Sequence, residues 1–167
     1  MKISTDCKIP TDLTTDELES SIDLIIDYRP SDRQEIKDRL LKSRAISLAK
    51  IDNKVVGTAT LKISNDIPSD NAFLKAQSGY NYEDFQLELG YIVTSPSFRN
   101  LKIGSQIVSL LCSSYENENI FAVTKADNNF SIALKLKLGF VQTGKEFKDR
   151  KSIDYLKLFV KPKKNRT

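Results

Sequence analysis

The spacing of apolar residues along the chain switches between the helical period of about 3.6 and the strand period of two. Residues 14–17 (TTDE) are typical of a helix start, and apolar residues at helical spacing follow them. Residues 30–32 (PSD) end this helix and begin a second one. Residues 45–51 and 54–63 flank Asp52-Asn53, a turn dipeptide, and predict an antiparallel hairpin.

The second half of the chain predicts two strand–helix pairs and a final hairpin. The predicted elements are 88–93, 104–115, 120–124, 130–138, 140–147 and 153–160. With a short first strand in residues 1–9, the order is β-α-α-β-β-β-α-β-α-β-β. Because hairpins alternate with crossovers, we expect a mixed sheet in one α/β domain over residues 1–160. Residues 161–167 (KPKKNRT) are expected to form a flexible basic tail.

Residues 64–86 have no clear periodicity, which is unusual for so long a stretch inside a compact domain. The segment contains aromatic and acidic residues, namely Phe73, Tyr80, Tyr82, Glu83, Asp84 and Phe85. Two interpretations stay open: a flap that faces a substrate, or a folded excursion that its aromatic residues anchor to the body. Gly57, inside the second arm of the hairpin, predicts a bulge or a close backbone approach.

The composition restricts the chemistry. The chain of 167 residues has no histidine, which excludes histidine-based triads and histidine general bases, and argues against the usual zinc sites. Cys7 and Cys112 lie far apart and are expected to be buried thiols. No apolar run is long enough to span a bilayer, and the N-terminal segment lacks a signal-peptide core, so we expect a cytoplasmic protein without a membrane partner.

The net charge of +4 is unevenly distributed. Residues 145–167 contain nine basic and three acidic residues, so the remainder has 17 basic against 19 acidic ones. Nucleic-acid binding through residues 161–166 is the weakest of three functional interpretations, because no aromatic residues alternate with the charges. We therefore expect a solvated basic end and no nucleic-acid partner.

The most informative segment is residues 88–108 (ELGYIVTSPSFRNLKIGSQIV). Its apolar strand ends at Thr94, a polar loop around Arg99 follows, and a helix begins near Gly104. The first turn of a helix has N–H groups without an intrahelical partner and carries partial positive charge. With the charge of Arg99 and the small Gly104, this arrangement predicts a site for a diphosphate.

This loop resembles the acetyl-CoA-binding motif of the GCN5-related N-acetyltransferases (GNAT), Arg/Gln-x-x-Gly-x-Gly/Ala. Residues 128–140 (NNFSIALKLKLGF) resemble a second GNAT element, Asn-x-x-Ala-x-x-Leu-Tyr-x-x-Leu-Gly-Phe. The resemblance covers about residues 45–160 and implies a GNAT-like fold, in which helices flank a mixed, mostly antiparallel sheet. It also implies that acetyl-CoA is the cosubstrate, without a metal, and that a primary amine attacks the thioester directly.

The resemblance assigns the binding of acetyl-CoA to residues of both motifs: Ile92, Val93, Arg99, Asn100, Leu101, Lys102, Ile103, Gly104, Ser105 and Asn128. A backbone N–H of Ile92 or Val93 is expected to donate to the thioester oxygen, where the strand also pairs with the pantetheine arm. Glu88 is the candidate general base, acting through water. The alternative for Glu88 is a strand-end residue that faces solvent or pairs with a lysine, and Glu83 and Asp84 are then the other candidates.

Two positions depart from the family pattern. Lys102 replaces the first glycine of the loop motif. If this position requires a positive φ, lysine raises the conformational free energy of the folded loop by on the order of 1 kcal/mol relative to glycine. Lys135 replaces the tyrosine that protonates the leaving thiolate in the family. We favour a solvated helix residue at this position, and a role for Lys135 as acid or as a charge near the thiolate stays open.

An acetyl-CoA-dependent N-acetyltransferase is the leading interpretation. The alternative is a non-catalytic GNAT-fold module that binds CoA or a protein partner, which Lys102 and Lys135 motivate. The acceptor, a small-molecule or peptide amine, is not encoded in a motif of the sequence. A homodimer also stays open.

Overall fold

The structure, a computed structural model, describes residues 2–64 and 71–165. The helices are α1 (Thr15–Tyr28), α2 (Arg33–Leu41), α3 (Ala72–Ala76), α4 (Ile103–Ser114) and α5 (Asn129–Lys137). The strands are β1 (Ile3–Lys8), β2 (Ala45–Ile51), β3 (Lys54–Ile63), β4 (Leu87–Thr94), β5 (Ile120–Lys125), β6 (Val141–Lys148) and β7 (Tyr155–Lys161). The predicted order of elements is confirmed, and α3 is the one helix added to it among the described residues.

The strands form a mixed, mostly antiparallel sheet in the order β1-β2-β3-β4-β5-β7-β6. The β1–β2, β2–β3, β5–β7 and β6–β7 pairs are antiparallel. β4 and β5 pair in parallel, with Leu87 opposite Ile120 and Glu88 opposite Phe121. The chain divides into two compact units, a first unit of residues 1–63 and 89–115 and a second unit of residues 64–88 and 116–167. The predicted fold class is therefore confirmed.

In the first unit, α1 and α2 bury their apolar faces together with side chains of β2 and β3. The buried cluster contains Ile22, Ile25, Ile36, Leu40, Ile46, Leu48, Val55 and Val93. α4 packs on β1, β2 and β3 through its own buried side chains, which include Ile103, Ile107 and Leu111. Burial of these large aliphatic side chains is the main source of stability in this unit.

The β2–β3 hairpin has the predicted tight turn, in which Asp52 and Asn53 have φ of 51° and 64°. The pairing register shifts between Ala49 and Lys50, so β3 contains a bulge next to Gly57. A Cβ on Gly57 would lie 2.7 Å from Cγ2 of Ile103, the first residue of α4. The bulge predicted at Gly57 is thus confirmed, and the close contact there is with the Ile103 side chain.

The start of α1 has a complete capping box. The Thr14 hydroxyl accepts from the Glu17 N–H at 3.1 Å, and a Glu17 carboxylate oxygen accepts from the Thr14 N–H at 2.9 Å. The same carboxylate, in a residue that is only 3% exposed, pairs with Lys8 of β1 at 3.0 Å and Lys50 of β2 at 2.6 Å. Burial raises the pKa of Glu17, but the hydrogen bonds from Lys50, the Thr14 N–H and Lys8 outweigh it and lower the pKa to about 2.

In the second unit, the described part of residues 64–86 is folded. Phe73 of α3 and Phe85 are buried, and the Phe73 ring lies 5.3 Å from that of Phe85 and 5.2 Å from that of Phe121. These contacts support the interpretation of an anchored excursion for residues 71–86. The interpretation as a flap falls partly on residues 65–70, which lie outside the described residues.

The chain end is held to the second unit as far as the structure describes it. Lys161 is the last residue of β7, the Lys163 N–H donates to Asn119 Oδ1 at 2.7 Å, and the Lys164 N–H donates to the Glu116 carbonyl at 2.9 Å. The prediction assigned Lys161, Lys163 and Lys164 to the flexible tail of residues 161–167, whereas the structure gives them these contacts. Residues 166–167 lie outside the described residues.

The two thiols have different environments. Cys112 is buried as predicted, whereas Cys7 is half-buried, and desolvation raises the pKa of the Cys7 thiol against a smaller opposing effect of a hydrogen bond with Ser114. Of the helices within the described ranges, none combines the length and the apolar character needed to cross a membrane.

Candidate active site

The sequence does not reveal the distortion at the centre of β4. Tyr91 has a φ of 49°, a left-handed conformation that an aromatic residue adopts only under constraint. Two cations contact its side chain: Arg39 Nη1 donates to the phenol oxygen at 3.1 Å, and Lys62 Nζ lies 4.7 Å from the ring centroid. A positive φ inside a strand turns the peptide groups that follow it, which are those of Ile92 and Val93. Val93 is buried and Ile92 is half-buried.

The loop after β4 is attached to β3 at its first residue. The Ser95 N–H donates to the Val56 carbonyl at 2.8 Å, at the bulge beside Gly57. Residues Pro96–Phe98 form one turn of 3₁₀-helix, after which Arg99 is extended and exposed. The β3 bulge therefore fixes where the candidate phosphate loop begins.

Two residues of the loop have left-handed backbone conformations. Asn100 has a φ of 70° and Lys102 a φ of 58°. Asparagine tolerates this region, but for lysine it costs on the order of 1 kcal/mol relative to glycine. Lys102 therefore stands where a glycine would relieve strain. Its side chain is exposed, as are those of Arg99 and Asn100, so three polar side chains surround this turn.

The start of α4 has no cap from a side chain and no acidic residue in its first turn. Lys102 occupies the cap position, and its carbonyl accepts from the Gln106 N–H at 3.0 Å. Ile103 is only 2% exposed and packs against Gly57, which fixes the direction of the helix. N–H groups of the first turn have no intrahelical acceptor, so this helix start suits an anion.

Gly104 is not required by the packing of the fold. A Cβ at this position would meet the Thr94 hydroxyl at 3.8 Å, which is an ordinary contact, and Gly104 does not have a positive φ. The glycine therefore leaves space at the helix start that no described residue of the first unit fills. A diphosphate approaching the backbone would use this space, so the residues present fit the predicted ligand.

In the second unit, α5 begins with a cap from Asn128, whose Oδ1 accepts from the Ser131 N–H at 3.1 Å. Lys135, one turn after Ser131, is only 3% exposed, and its Nζ donates to Ser131 Oγ at 2.6 Å. The expectation of a solvated Lys135 is wrong. Residues four apart lie on the same face of a helix, so Ser131 and Lys135 are neighbours on α5. At Lys135 this face of α5 is buried.

The candidate carboxylates also lie in the second unit. Glu88 is half-buried in β4 and lies opposite Phe121 of β5. Glu83 and Asp84 are exposed in a 3₁₀ turn, Tyr82–Asp84. Among the residues of the two described ranges, no group of three or more Cys, Asp or Glu side chains could hold a metal ion. The candidate residues from Ile92 to Ser105 thus form one continuous region of the first unit, whereas Glu88, Asn128 and Lys135 belong to the second.

Comparison with solved structures places this fold among acetyltransferases. The chain is similar to the ribosomal-protein-S18-alanine N-acetyltransferase from Escherichia coli, with 13% identity, 98% and 97% of the two chains covered and a TM-score of 0.71. It is also similar to an acyl-CoA N-acyltransferase from Pseudomonas aeruginosa, with 16% identity, 96% and 99% covered and a TM-score of 0.69. A GNAT-family acetyltransferase from Bacillus cereus ATCC 10987 has 22% identity, 97% and 99% covered and a TM-score of 0.68.

These structural similarities, at low identity, show the fold alone. No curated protein matches the sequence well enough to count as a relative. The family model described as "Acetyltransferase (GNAT) family" matches residues 12–140, which is most of the chain and includes β4, the loop, α4 and α5. The uncapped start of α4 and the loop before it thus lie within a family match, and the chain belongs to the acetyltransferase (GNAT) family.

Proposed function

We propose that the protein is an acetyl-CoA-dependent N-acetyltransferase that transfers an acetyl group to a primary amine. The observation that carries this proposal is the start of α4, which lacks a side-chain cap and an acidic residue and follows a loop with two left-handed residues. When bound, acetyl-CoA supplies an acyl group that is already activated as a thioester. The chain has to hold this cosubstrate, orient it and move protons.

The backbone of residues 100–105 binds the diphosphate in this proposal. Arg99 adds a charge-assisted contact, and Lys102 adds a second positive charge that offsets part of the strain of its backbone. The N–H of Ile92 or Val93, turned by the distortion at Tyr91, donates to the thioester oxygen as charge develops on it. A donor of this kind contributes a few kcal/mol to transition-state stabilisation.

Glu88 is the proposed general base, which removes a proton from the amine through water. Lys135 is the proposed positive charge that stabilises the leaving thiolate. A buried ammonium on a rigid helix is suited to this task because it needs no reorganisation during the reaction. Ser131 holds the Lys135 ammonium, and Asn128 caps the helix that carries both.

Calorimetry with CoA tests the binding site. We expect Arg99→Ala to weaken CoA binding by about five- to a hundredfold, as the loss of a charge-assisted contact would. Arg150→Ala, which removes an equivalent charge from the β6–β7 turn of the second unit, is the matched control and should bind like the wild type. Absence of CoA binding to the wild type at millimolar ligand would refute the proposed function.

Steady-state release of free thiol in the presence of amines tests catalysis. Glu88→Gln should lower kcat tenfold or more and leave CoA affinity within about twofold. Lys135→Met should also lower kcat about tenfold, whereas Lys137→Met, on the exposed side of the same helix, should have no effect. Equal kcat for the two lysine variants would remove Lys135 from the mechanism.

A non-catalytic GNAT-fold module is the second candidate function. It is favoured by Lys135, which stands where the family's tyrosine is expected and is bonded to Ser131. Such a module would be stabilised thermally by CoA without releasing thiol in the presence of any amine. Thiol release above the rate of spontaneous hydrolysis would exclude it.

A further inference from the structure

A cleft in the first unit lies between the end of α1 and the middle of β4. Its volume is about 100 Å³, and its lining residues are Ile25, Tyr28, Arg29, Tyr91, Ile92 and Val93. This volume is below the range for small-molecule sites, roughly 300–1,000 Å³. The cleft therefore suits a ligand of a few heavy atoms.

The position of the cleft relates it to the proposed reaction. Ile92 and Val93, whose N–H groups are the proposed donors to the thioester oxygen, line it directly. α1 ends at Tyr28 because Arg29 has extended backbone angles and Pro30 follows. An amine bound in the cleft would therefore lie against the segment of β4 where the proposed transfer takes place.

The charges at the cleft are mainly positive. None of its six lining residues is acidic, and among the described residues Arg29 has no ion pair. The Tyr91 phenol and ring contact two further cations, Lys62 and Arg39, of which Arg39 is also paired with the Glu35 carboxylate. The acidic residues nearest to Arg29 in sequence, Asp27 and Asp32, are exposed and do not line the cleft. The cleft therefore offers a guanidinium to an anionic group.

The C-terminal end of α1 adds a partial negative charge, which is weaker than the positive charge of Arg29 and opposite to it in sign. The carbonyl groups of the last helical turn carry partial negative charge, which favours an ammonium group. A ligand with an amine and a carboxylate a few bonds apart matches both features, whereas a polyamine or a plain alkylamine matches only one. Ile25 and Val93 are the buried apolar residues among those that line the cleft.

We propose that this cleft is the acceptor subsite and that Arg29 selects amines that carry a carboxylate, so that the substrate class is the free amino acids. This proposal rests on the proposed acetyltransferase function. In the reaction, a C–N bond forms between the amino nitrogen and the acetyl carbon while the C–S bond breaks. The amine loses a proton to the base and the CoA thiolate takes up a proton, which gives the N-acetyl amino acid and free CoA.

The test measures thiol release with each proteinogenic amino acid, its carboxamide and the amine that lacks the carboxyl group. We expect kcat/KM for the best amino acid to exceed that for its carboxamide at least tenfold. Arg29→Gln should reduce this ratio to about two or less, Arg29→Lys should restore part of it, and Arg150→Gln should leave it unchanged. Thermal unfolding of all variants checks that each one is folded.

The outcomes separate the two proposals. Carboxamides or plain amines that are accepted as well as amino acids, or an unchanged ratio in folded Arg29→Gln, would overturn the assignment of Arg29 and leave the acetyltransferase function standing. Absence of thiol release with every amine, although CoA binds, would refute the acetyltransferase function and this inference together.

Discussion

The helices α1 and α4 belong to the same unit and differ in how their first turns are hydrogen-bonded. At α1, Thr14 and Glu17 satisfy each other's backbone N–H groups, and Glu17 also pairs with Lys8 and Lys50. At α4, no side chain caps the helix and no acid lies in the first turn. The first start is therefore completed within the protein and contributes stability, whereas the second lacks a side-chain cap, as the proposed diphosphate site requires.

The largest expected effect concerns the closed start of α1. Glu17→Ala removes a buried carboxylate and leaves the Lys8 and Lys50 ammonium groups without their partner, so the free energy of unfolding should fall by about 3 kcal/mol. Urea unfolding at neutral pH measures this change. Glu19→Ala, which removes a half-buried carboxylate of the same helix that pairs with Arg33 and Lys37, is the control and should cost clearly less than Glu17→Ala. Similar losses for both variants would contradict the account of α1.

The pH dependence of stability tests the same carboxylate. Because the pKa of Glu17 is about 2 in the folded protein and near 4.5 otherwise, its contribution is complete above pH 4.5 and is lost as the pH falls towards 2. The stability difference between wild type and Glu17→Gln should therefore shrink by roughly 2–3 kcal/mol from pH 6 to pH 2. Unfolding curves of both proteins across this range measure it. A constant difference would show that Glu17 is not held in its ionised form by the fold.

At the open start of α4, Gly104→Ala should have effects of opposite sign on stability and on binding. Alanine is the better helix former and the fold has room for its Cβ, so the free energy of unfolding should rise by about 0.5–1 kcal/mol. The same methyl group would occupy space next to the proposed diphosphate, so CoA affinity should fall about tenfold. Denaturant unfolding and calorimetry on the same variant provide both values. Loss of stability with unchanged CoA affinity would reverse the interpretation of this glycine.

The smallest expected effect on CoA affinity concerns the strained residue that precedes α4. Lys102→Gly should raise the free energy of unfolding by about 1 kcal/mol, because glycine adopts a φ of 58° without strain. If the Lys102 ammonium contacts the diphosphate, the same variant should bind CoA a few-fold more weakly. Lys54→Gly, at the first position of β3, where φ is not positive, is the control and should not be stabilised. A destabilised Lys102→Gly would mean that the side chain, and not the backbone, determines the energy of this loop.

Most of the elements could be predicted because their signals are local. The capping residues Thr14 and Glu17, the Asp52-Asn53 turn and the helical spacing after Gly104 each depend on residues a few positions apart. Because the family motif has glycine at the position of Lys102, the sequence predicts backbone strain there if the position requires a positive φ. α3 was missed because a helix of five residues is too short to establish a period.

The environment of single side chains was harder to predict. Lys135 was expected in solvent because lysine usually lies there, but the tertiary structure buries it on Ser131. The positive φ of Tyr91 could not be predicted, because an aromatic residue in an apolar strand is ordinary. This backbone conformation is found only in the folded structure. The cleft beside Arg29 combines residues more than 60 positions apart, which no local pattern connects.

The order of the main helices and strands, the family and the position of the proposed phosphate loop could be predicted from the amino-acid sequence, because backbone preferences and motifs act over short distances along the chain. The close contact of Gly57 with Ile103, the ordinary contact that a Cβ on Gly104 would make with Thr94, and the burial of Lys135 follow only from the folded structure. These properties depend on which distant side chains pack against a residue. Packing is a property of the whole fold, so it is fixed only when the sheet and its helices are in place.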